Sequence, residues 1–222
     1  MSWIETWPSR VSSKQRGKKF EQFFRLMEPS RDDTVVDVGI NDKEYSEADN
    51  YLEKHYAYPE NITAVARKGL DQFRARYPRI KALIADGRKL PFPDNYFDIS
   101  YSNAVIEHVG KRVAQLQFLR ELYRVAHRGY LTTPNRYFPV EVHSRIPLLH
   151  ILLTKNRFDR FLRLIGKGWA AGDYMYLLSY AELEGLLREA EVTNYKIISN
   201  RFLGLAMTFT VVWHKDTSVL EI

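Results

Sequence analysis

The chain of 222 residues contains no cysteine, which excludes disulfides, thiolate metal sites and a cysteine nucleophile together. That absence fits a reducing compartment. Long apolar runs are missing as well. The greasiest stretch, residues 146–153, is interrupted by His150 and falls far short of the roughly 20 residues that span a bilayer. The opening Met1-Ser2-Trp3-Ile4-Glu5 lacks the apolar centre of a signal peptide, so a cytoplasmic protein is expected. No grouping of His, Asp and Glu has a metal-ligand spacing, and no metal site is expected. Internal repeats and low-complexity tracts are absent too.

What is present suits one domain with a sizeable core: 45% of the residues are hydrophobic. The domain is read as 1–222, comprising an N-terminal arm and helix over 1–33, a sheet, and a cap inserted at 137–176. The formal charge is +6, which favours contact with anions such as nucleic acid, phosphorylated substrates or acidic lipid. A surplus of solvated Lys and Arg accounts for the same number.

The chain is organised around Thr34-Val35-Val36-Asp37-Val38-Gly39, a short β-rich run without alternation that reads as a fully buried strand. Gly39 falls where that strand turns, and a missing Cβ would let a ligand approach. Before it, residues 1–13 read as a loose arm with Trp3, Trp7 and Pro8. Phe20, Phe23, Phe24 and Met27 then recur at helical spacing, behind a cluster of Lys14, Arg16, Lys18 and Lys19. That pattern predicts a helix covering one edge of the sheet with its basic end solvated.

After Gly39, a helix is expected over 46–55 with Ser46 as N-cap, and strands over 62–66, 80–85, 96–101 and 130–133. Helices are expected at 69–77 and after Asn103, the latter with Val113, Leu116, Leu119 and Leu122 on one side. Such alternation argues for parallel βαβ units with right-handed crossovers. Residues 137–176 break the rhythm. Their dense apolar run, followed by Phe158, Phe161, Leu162 and Ile165 with Arg157, Arg160 and Arg163 beside them, reads as a helical cap over the active-site end. A helix over 180–191 and strands over 195–199 and 205–214 follow, the last two linked closely enough for an antiparallel pair.

Three strand ends carry polar residues: Asp37 with Gly39, Asp86 with Gly87, and Asn103. In a doubly wound sheet these ends meet at one crevice. The residues Val35-Val36-Asp37-Val38-Gly39, Ala85-Asp86-Gly87, Leu90-Pro91-Phe92-Pro93-Asp94-Asn95-Tyr96-Phe97-Asp98 and Ser102-Asn103-Ala104-Val105-Ile106-Glu107-His108-Val109 resemble the class I S-adenosylmethionine-dependent methyltransferases of the group called type 11. The resemblance covers about residues 14–134 well and the C-terminal strand pair loosely. It implies an α/β, Rossmann-like doubly wound sheet of seven strands, the last one antiparallel.

The resemblance also implies S-adenosyl-L-methionine as cofactor. Asp37, Gly39 and Ile40 would lie at its amino-acid end, Asp86 and Gly87 at the adenine, and Asn103 and Ala104 near the methionine portion. An ammonium group wants a carboxylate, and an adenine amino group wants an acceptor. This chain departs from the family in two places. Ile40-Asn41-Asp42 stand where further glycines are usual. Ala66-Arg67-Lys68 stand where an acid often holds the ribose hydroxyls, leaving Asp71 or the loop 41–44 to take that place.

Methyl transfer from a sulfonium depends mainly on alignment and exclusion of water, with a base needed only when the acceptor loses a proton. His108 and His143 are the candidate bases, His143 preferred because Glu141 precedes it by two residues; a backbone-bonded helix residue is the plainer reading of His108. The favoured acceptor is a small molecule or a lipid-linked group under the cap, with peripheral contact to an acidic membrane. Nucleic acid ranks lower, because the Asn-Pro-Pro-aromatic motif is absent after strand four. A catalytically silent scaffold is the third reading.

Overall fold

The computed structural model describes residues 3–140, 146–172 and 175–216, with side chains described from residue 14 onward. Helix α1 runs Trp3–Met27 and is followed by β1 (Val35–Val38), α2 (Tyr51–His55), β2 (Ile62–Ala66), α3 (Asp71–Arg76) and β3 (Lys81–Ile84). Next come β4 (Phe97–Asn103), α4 (Arg112–Val125), β5 (Ala126–Pro134), α5 (Leu149–Leu152) and α6 (Lys155–Leu164). The chain closes with α7 (Tyr180–Glu189), β6 (Tyr195–Phe202) and β7 (Leu205–His214).

These strands form one seven-stranded sheet in the order β3-β2-β1-β4-β5-β7-β6. The pairs β1–β2, β1–β4, β2–β3 and β4–β5 are parallel, whereas β7 runs against both β5 and β6. The expected α/β, doubly wound sheet with an antiparallel last strand is therefore observed. Chain order reverses between β1 and β4, because β2 and β3 build outward on one side and β5 on the other. The carboxyl ends of β1 and β4 consequently border an open crevice.

Alternation along the strands sends side chains to two layers. Val36, Val38, Val65, Leu131, Val211 and Trp213 join α4 and α7 on one face, through Leu119, Leu122, Leu183 and Leu187. Val35, Ile62, Ala64, Ile99, Tyr101, Tyr130 and Val212 join α1 to α3 on the other, through Phe23, Met27, Leu52 and Phe73. The buried set on α4 is Gln115, Leu116, Phe118, Leu119, Leu122 and Val125. Val113, assigned to that stripe by spacing, is instead 69% exposed, because it lies in the first turn before the helix reaches the sheet.

Several boundaries differ from the sequence-based expectation. The loose arm is helical, continuous with the predicted helix from Trp3. That helix does not cover an edge. Phe23 packs edge-on against Tyr101 and Tyr130 of the central strands, with ring centroids at 5.2 and 5.5 Å. Gln22 reinforces the contact by accepting from the Tyr130 hydroxyl at 3.0 Å and from Thr210 Oγ1 at 2.8 Å. The helix expected from residue 46 starts only at Tyr51. Ser46 does not cap it, because the Asp49 carboxylate takes the amides of Tyr45 and Ser46 and closes a turn there. The cap forms its own small cluster of Ile146, Phe158, Leu162 and Ala170.

Gly129 of β5 stands opposite Trp213 of β7. A Cβ at residue 129 would lie 1.9 Å from Trp213 Cζ2, inside a ring that is fully buried. Gly129→Ala is expected to cost about 1–3 kcal/mol through overpacking. Urea denaturation checks this: the midpoint should fall with an unchanged slope.

Candidate active site

A cavity of about 510 Å³ opens at the crevice and is lined from the ends of β1, β3 and β4 and from α1 and α2. Asp37, Gly39, Ile40, Asp86, Gly87, Asn103, Ala104 and His108 all line it, although some are separated by more than sixty positions in sequence. His143 and Glu141 lie outside the described residues.

At the end of β1, Gly39 has φ +113°, a conformation that L side chains rarely adopt. The space beside its Cα is not left for a ligand. A Cβ there would lie 2.2 Å from Val105 Cγ2, so Gly39 lets the loop after β4 close onto β1. Gly87 behaves alike, with a Cβ falling 2.6 Å from Phe118 Cε2. Both glycines thus serve the packing of the cavity wall. Ala104, in the same loop, takes φ 60° without being glycine.

The loop after Gly39 is held by Asn50, whose Oδ1 accepts from the Asn41 amide at 2.9 Å while its Nδ2 donates to Asn41 O at 2.8 Å. Asn50 itself is left-handed at φ 47° and turns the chain into α2. Tyr51 and His55 of α2 pack on Phe20 of α1. This arrangement carries Glu53 into the cavity wall beside Asp37. Asp37 is 6% exposed and Glu53 5%. Burial, then the Glu53 charge, push Asp37 well above the usual carboxylate range. Glu53 is also raised, chiefly by burial. Neither Glu53 oxygen has a donor partner. Two carboxyl groups in such a place cannot both ionise cheaply.

The basic cluster on α1 is not simply solvated. Lys14 and Lys18 face outward, but Arg16 lines the cavity and Lys19 is only 8% exposed. Burial and the neighbouring Arg16 lower the Lys19 amine to about 7, against the pull of Glu107. Glu107 is fully buried; its Oε2 accepts from Thr133 Oγ1 at 3.2 Å, and its Oε1 lies 3.9 Å from His108 Nε2. Asn103 is oriented by the walls, since Thr132 Oγ1 donates to its Oδ1 at 2.5 Å and its Nδ2 donates to Tyr101 Oη at 3.2 Å.

On the far side, Arg88 grips Asp86 through Nε at 2.9 Å and Nη2 at 2.5 Å. Its guanidinium holds the Asp86 carboxyl down at about 2. Arg67, at the end of β2, lines the same side. The expected substitutes for a ribose-binding acid are committed elsewhere. Asp42 accepts from the Phe73 amide at 2.9 Å, and Glu44 is held by Tyr77 Oη at 2.6 Å and Lys54 at 3.0 Å. Asp71 is exposed on α3.

Sequence reading missed Glu53, Asn50, Arg16 and Arg88. Only Arg88 carried a local signal, two residues from Asp86 in a turn. Glu53 and Arg16 reach the cavity from helices whose docking a linear pattern does not reveal.

A mostly parallel sheet of this order, with a carboxyl-lined crevice where the strand order reverses, defines a Rossmann-like α/β fold. The family described as "Methyltransferase domain" matches residues 37–132 of this chain. A probable S-adenosylmethionine-dependent methyltransferase of Mycolicibacterium smegmatis is 38% identical over 87 residues, a stretch spanning 34% of this chain and 33% of that relative. Among solved structures, an S-adenosylmethionine-dependent methyltransferase from Methanosarcina mazei superposes with TM-score 0.54 at 15% identity, covering 84% of this chain and 94% of that one. The N-terminal domain of EvdMO1 with SAH (S-adenosylhomocysteine) bound superposes with TM-score 0.53 at 16% identity, covering 93% and 80%. The Rossmann-like methyltransferase fold is thereby established.

The cofactor of this family is S-adenosyl-L-methionine, and the cavity fits it at both ends. The orphaned Glu53 oxygens with Asp37 suit an ammonium group, and Asp86 offers an acceptor for an adenine amino group. Among the described residues, no metal-ligating group of three or more His, Asp or Glu is found.

The depressed Asp86 pKa means that its charged form persists until the pH falls through about 2; at 45% side-chain exposure the pair adds little stability. Arg88→Ala is expected to move the Asp86 midpoint from about 2 toward about 4, the ordinary aspartate value. Carboxyl-carbon NMR titration measures it.

Proposed function

We propose that this chain transfers a methyl group from S-adenosyl-L-methionine to a small-molecule or lipid-linked acceptor that enters beneath the cap. The supporting observation is the attachment of the segment leaving the cap to the turn after β4, beside the cavity. The amide of Tyr176 donates to Glu107 O at 2.7 Å, and Gln115 Nε2 donates to Tyr176 O at 2.8 Å. The chain returning from the cap therefore closes over the short 3-10 turn Ile106–His108, whose His108 lines the cavity.

The outer surface of the cap exposes Leu152, Leu164, Ile165 and Trp169 beside Arg157, Arg160 and Arg163. Apolar tips interleaved with arginines suit an acidic membrane surface, from which an apolar acceptor would enter. No helix among the described residues is long and apolar enough to cross a membrane.

When bound, the cofactor supplies an electrophilic methyl carbon on a sulfonium. The protein's contribution is placement and dryness. Asp37 and Glu53 take the ammonium end, and Asp86 with the Gly87 amide takes the adenine. Asn103 and Ala104, held by Thr132, form the wall beside the reacting carbon. For an acceptor that loses a proton, His108 is the base within the cavity. His143 and Glu141 stay candidates on the grounds of sequence.

A nucleic-acid acceptor is the second reading, favoured by the charge of +6 and by Arg67 and Arg88 at the cavity. A catalytically silent scaffold is the third, favoured by the missing acid at the end of β2. Calorimetry with S-adenosylhomocysteine separates it: absence of binding at millimolar ligand would favour the scaffold.

Asp86→Ala is expected to weaken S-adenosylhomocysteine binding by roughly tenfold or more, the worth of a hydrogen bond to a charged group. Calorimetric titration of both proteins measures this. In vesicle sedimentation, the protein should bind anionic and not neutral vesicles. The double change Arg160→Glu and Arg163→Glu should cut that binding roughly tenfold or more, on about 1 kcal/mol per basic residue. RNA binding that falls steeply with salt, without vesicle binding, would favour the second reading instead.

A further inference from the structure

Resting on the cofactor reading above, we infer that Asp37 and Glu53 are a proton-exchanging cation receptor: they hold one proton between them, and release it to solvent when an ammonium group seats at their end of the cavity. Nothing in the methyltransferase-domain match accounts for Glu53, which lies on a five-residue helix displaced from its predicted start.

Geometry carries the inference. Both carboxyls line the same cavity, both are more than nine-tenths buried, and both Glu53 oxygens lack a donor. Lys54, the next residue on α2, pairs with Glu44 at 3.0 Å. A buried carboxylate with no donor is costly, and two side by side are costlier. One shared proton meets both demands: it supplies a donor to the facing oxygen and halves the charge. An arriving –NH3⁺ brings three donors and a full positive charge, which removes the need for that proton. The balance is simple. The pair passes from one carboxylic acid and one carboxylate to two carboxylates, one proton leaves to solvent, and the ammonium keeps its own three.

The surrounding charges set the strength of this exchange. Arg16 of α1 faces Asp37 and favours its ionisation, whereas burial opposes it more strongly. Glu44 and Lys54 act on Glu53 in opposite directions. Tyr101 of β4 is itself held neutral by burial and by Asp37. Lys19 is close enough to Arg16 and Glu107 to feel both. Asp37 and Glu53 are thus the pair that gains most from a mobile cation.

The consequence is ligand affinity that rises with pH where the pair still holds its proton, and a discrimination by the amino-acid portion. The test is calorimetry of the full chain between pH 6 and 8 in buffers of different ionisation enthalpy, which counts protons released per ligand. S-adenosylhomocysteine should release close to one proton at the lower pH values. 5′-Methylthioadenosine, which lacks the amino-acid portion, should bind more weakly and release none. Glu53→Gln should bind S-adenosylhomocysteine more weakly than the wild-type protein, with release abolished, because its amide gives Asp37 the donor that the proton supplied. Carboxyl-carbon NMR of the wild-type protein gives an independent reading should that variant fail to fold: a carboxyl midpoint raised above the ordinary range should vanish with ligand. Binding of S-adenosylhomocysteine without proton release, or unchanged release in Glu53→Gln, would overturn the inference while leaving the cofactor reading intact. No binding of either nucleoside to the wild-type protein would overturn both.

Discussion

Strand β1 bears hydrogen bonds to β2 on one side and β4 on the other, and the chain leaves those neighbours in opposite directions. That reversal is the constraint on which the rest of the structure depends. Crossover helices cover both faces of a parallel sheet, yet at the reversal they diverge and leave the strand ends uncovered. Asp37, Asp86 and Asn103 reach the site because their strands end at this gap.

The gap is polar on purpose at one end and packed on purpose beside it. Gly39 and Gly87 make room for Val105 and Phe118, so the floor of the cavity is closed by neighbouring side chains. Against that dry floor, the Asp37–Glu53 pair is expensive to maintain unless it meets a cation. At the opposite end, Asp86 is already satisfied by Arg88, and a nucleoside would compete with or share that guanidinium. The two ends therefore differ in how much they gain from a ligand: one lacks a partner, and the other would exchange one.

Much of the fold was legible because the hydrophobic signals were local. Val35, Val36 and Val38 marked β1, and the strand pair β6–β7 followed from its short link. The motif residues from Asp37 to His108 were likewise readable, and the structure gathers them around one cavity. Errors arose where tertiary contacts overrode spacing. Ser46 resembled a helix cap, but the Asp49 carboxylate recruited its amide into a turn. Lys19 resembled a surface lysine in a basic run, but α1 docks across β4 and β5 and buries it. Asp42 and Glu44 resembled spare acids, but the α3 amide and the Tyr77 hydroxyl claim them.

The sequence by itself determined the sheet, the order of its elements and the motifs between residues 37 and 109, because periodicity and short motifs are properties of neighbours along the chain. Only the tertiary structure decided which helix faces reach the crevice. Arg16 and Glu53 belong to helices placed by Phe23 packing on the central strands and by Phe20 of α1 packing on Tyr51 of α2. Burial turned two ordinary acids into a coupled pair, since the energy of a charge depends on the water around it and not on its place in the chain.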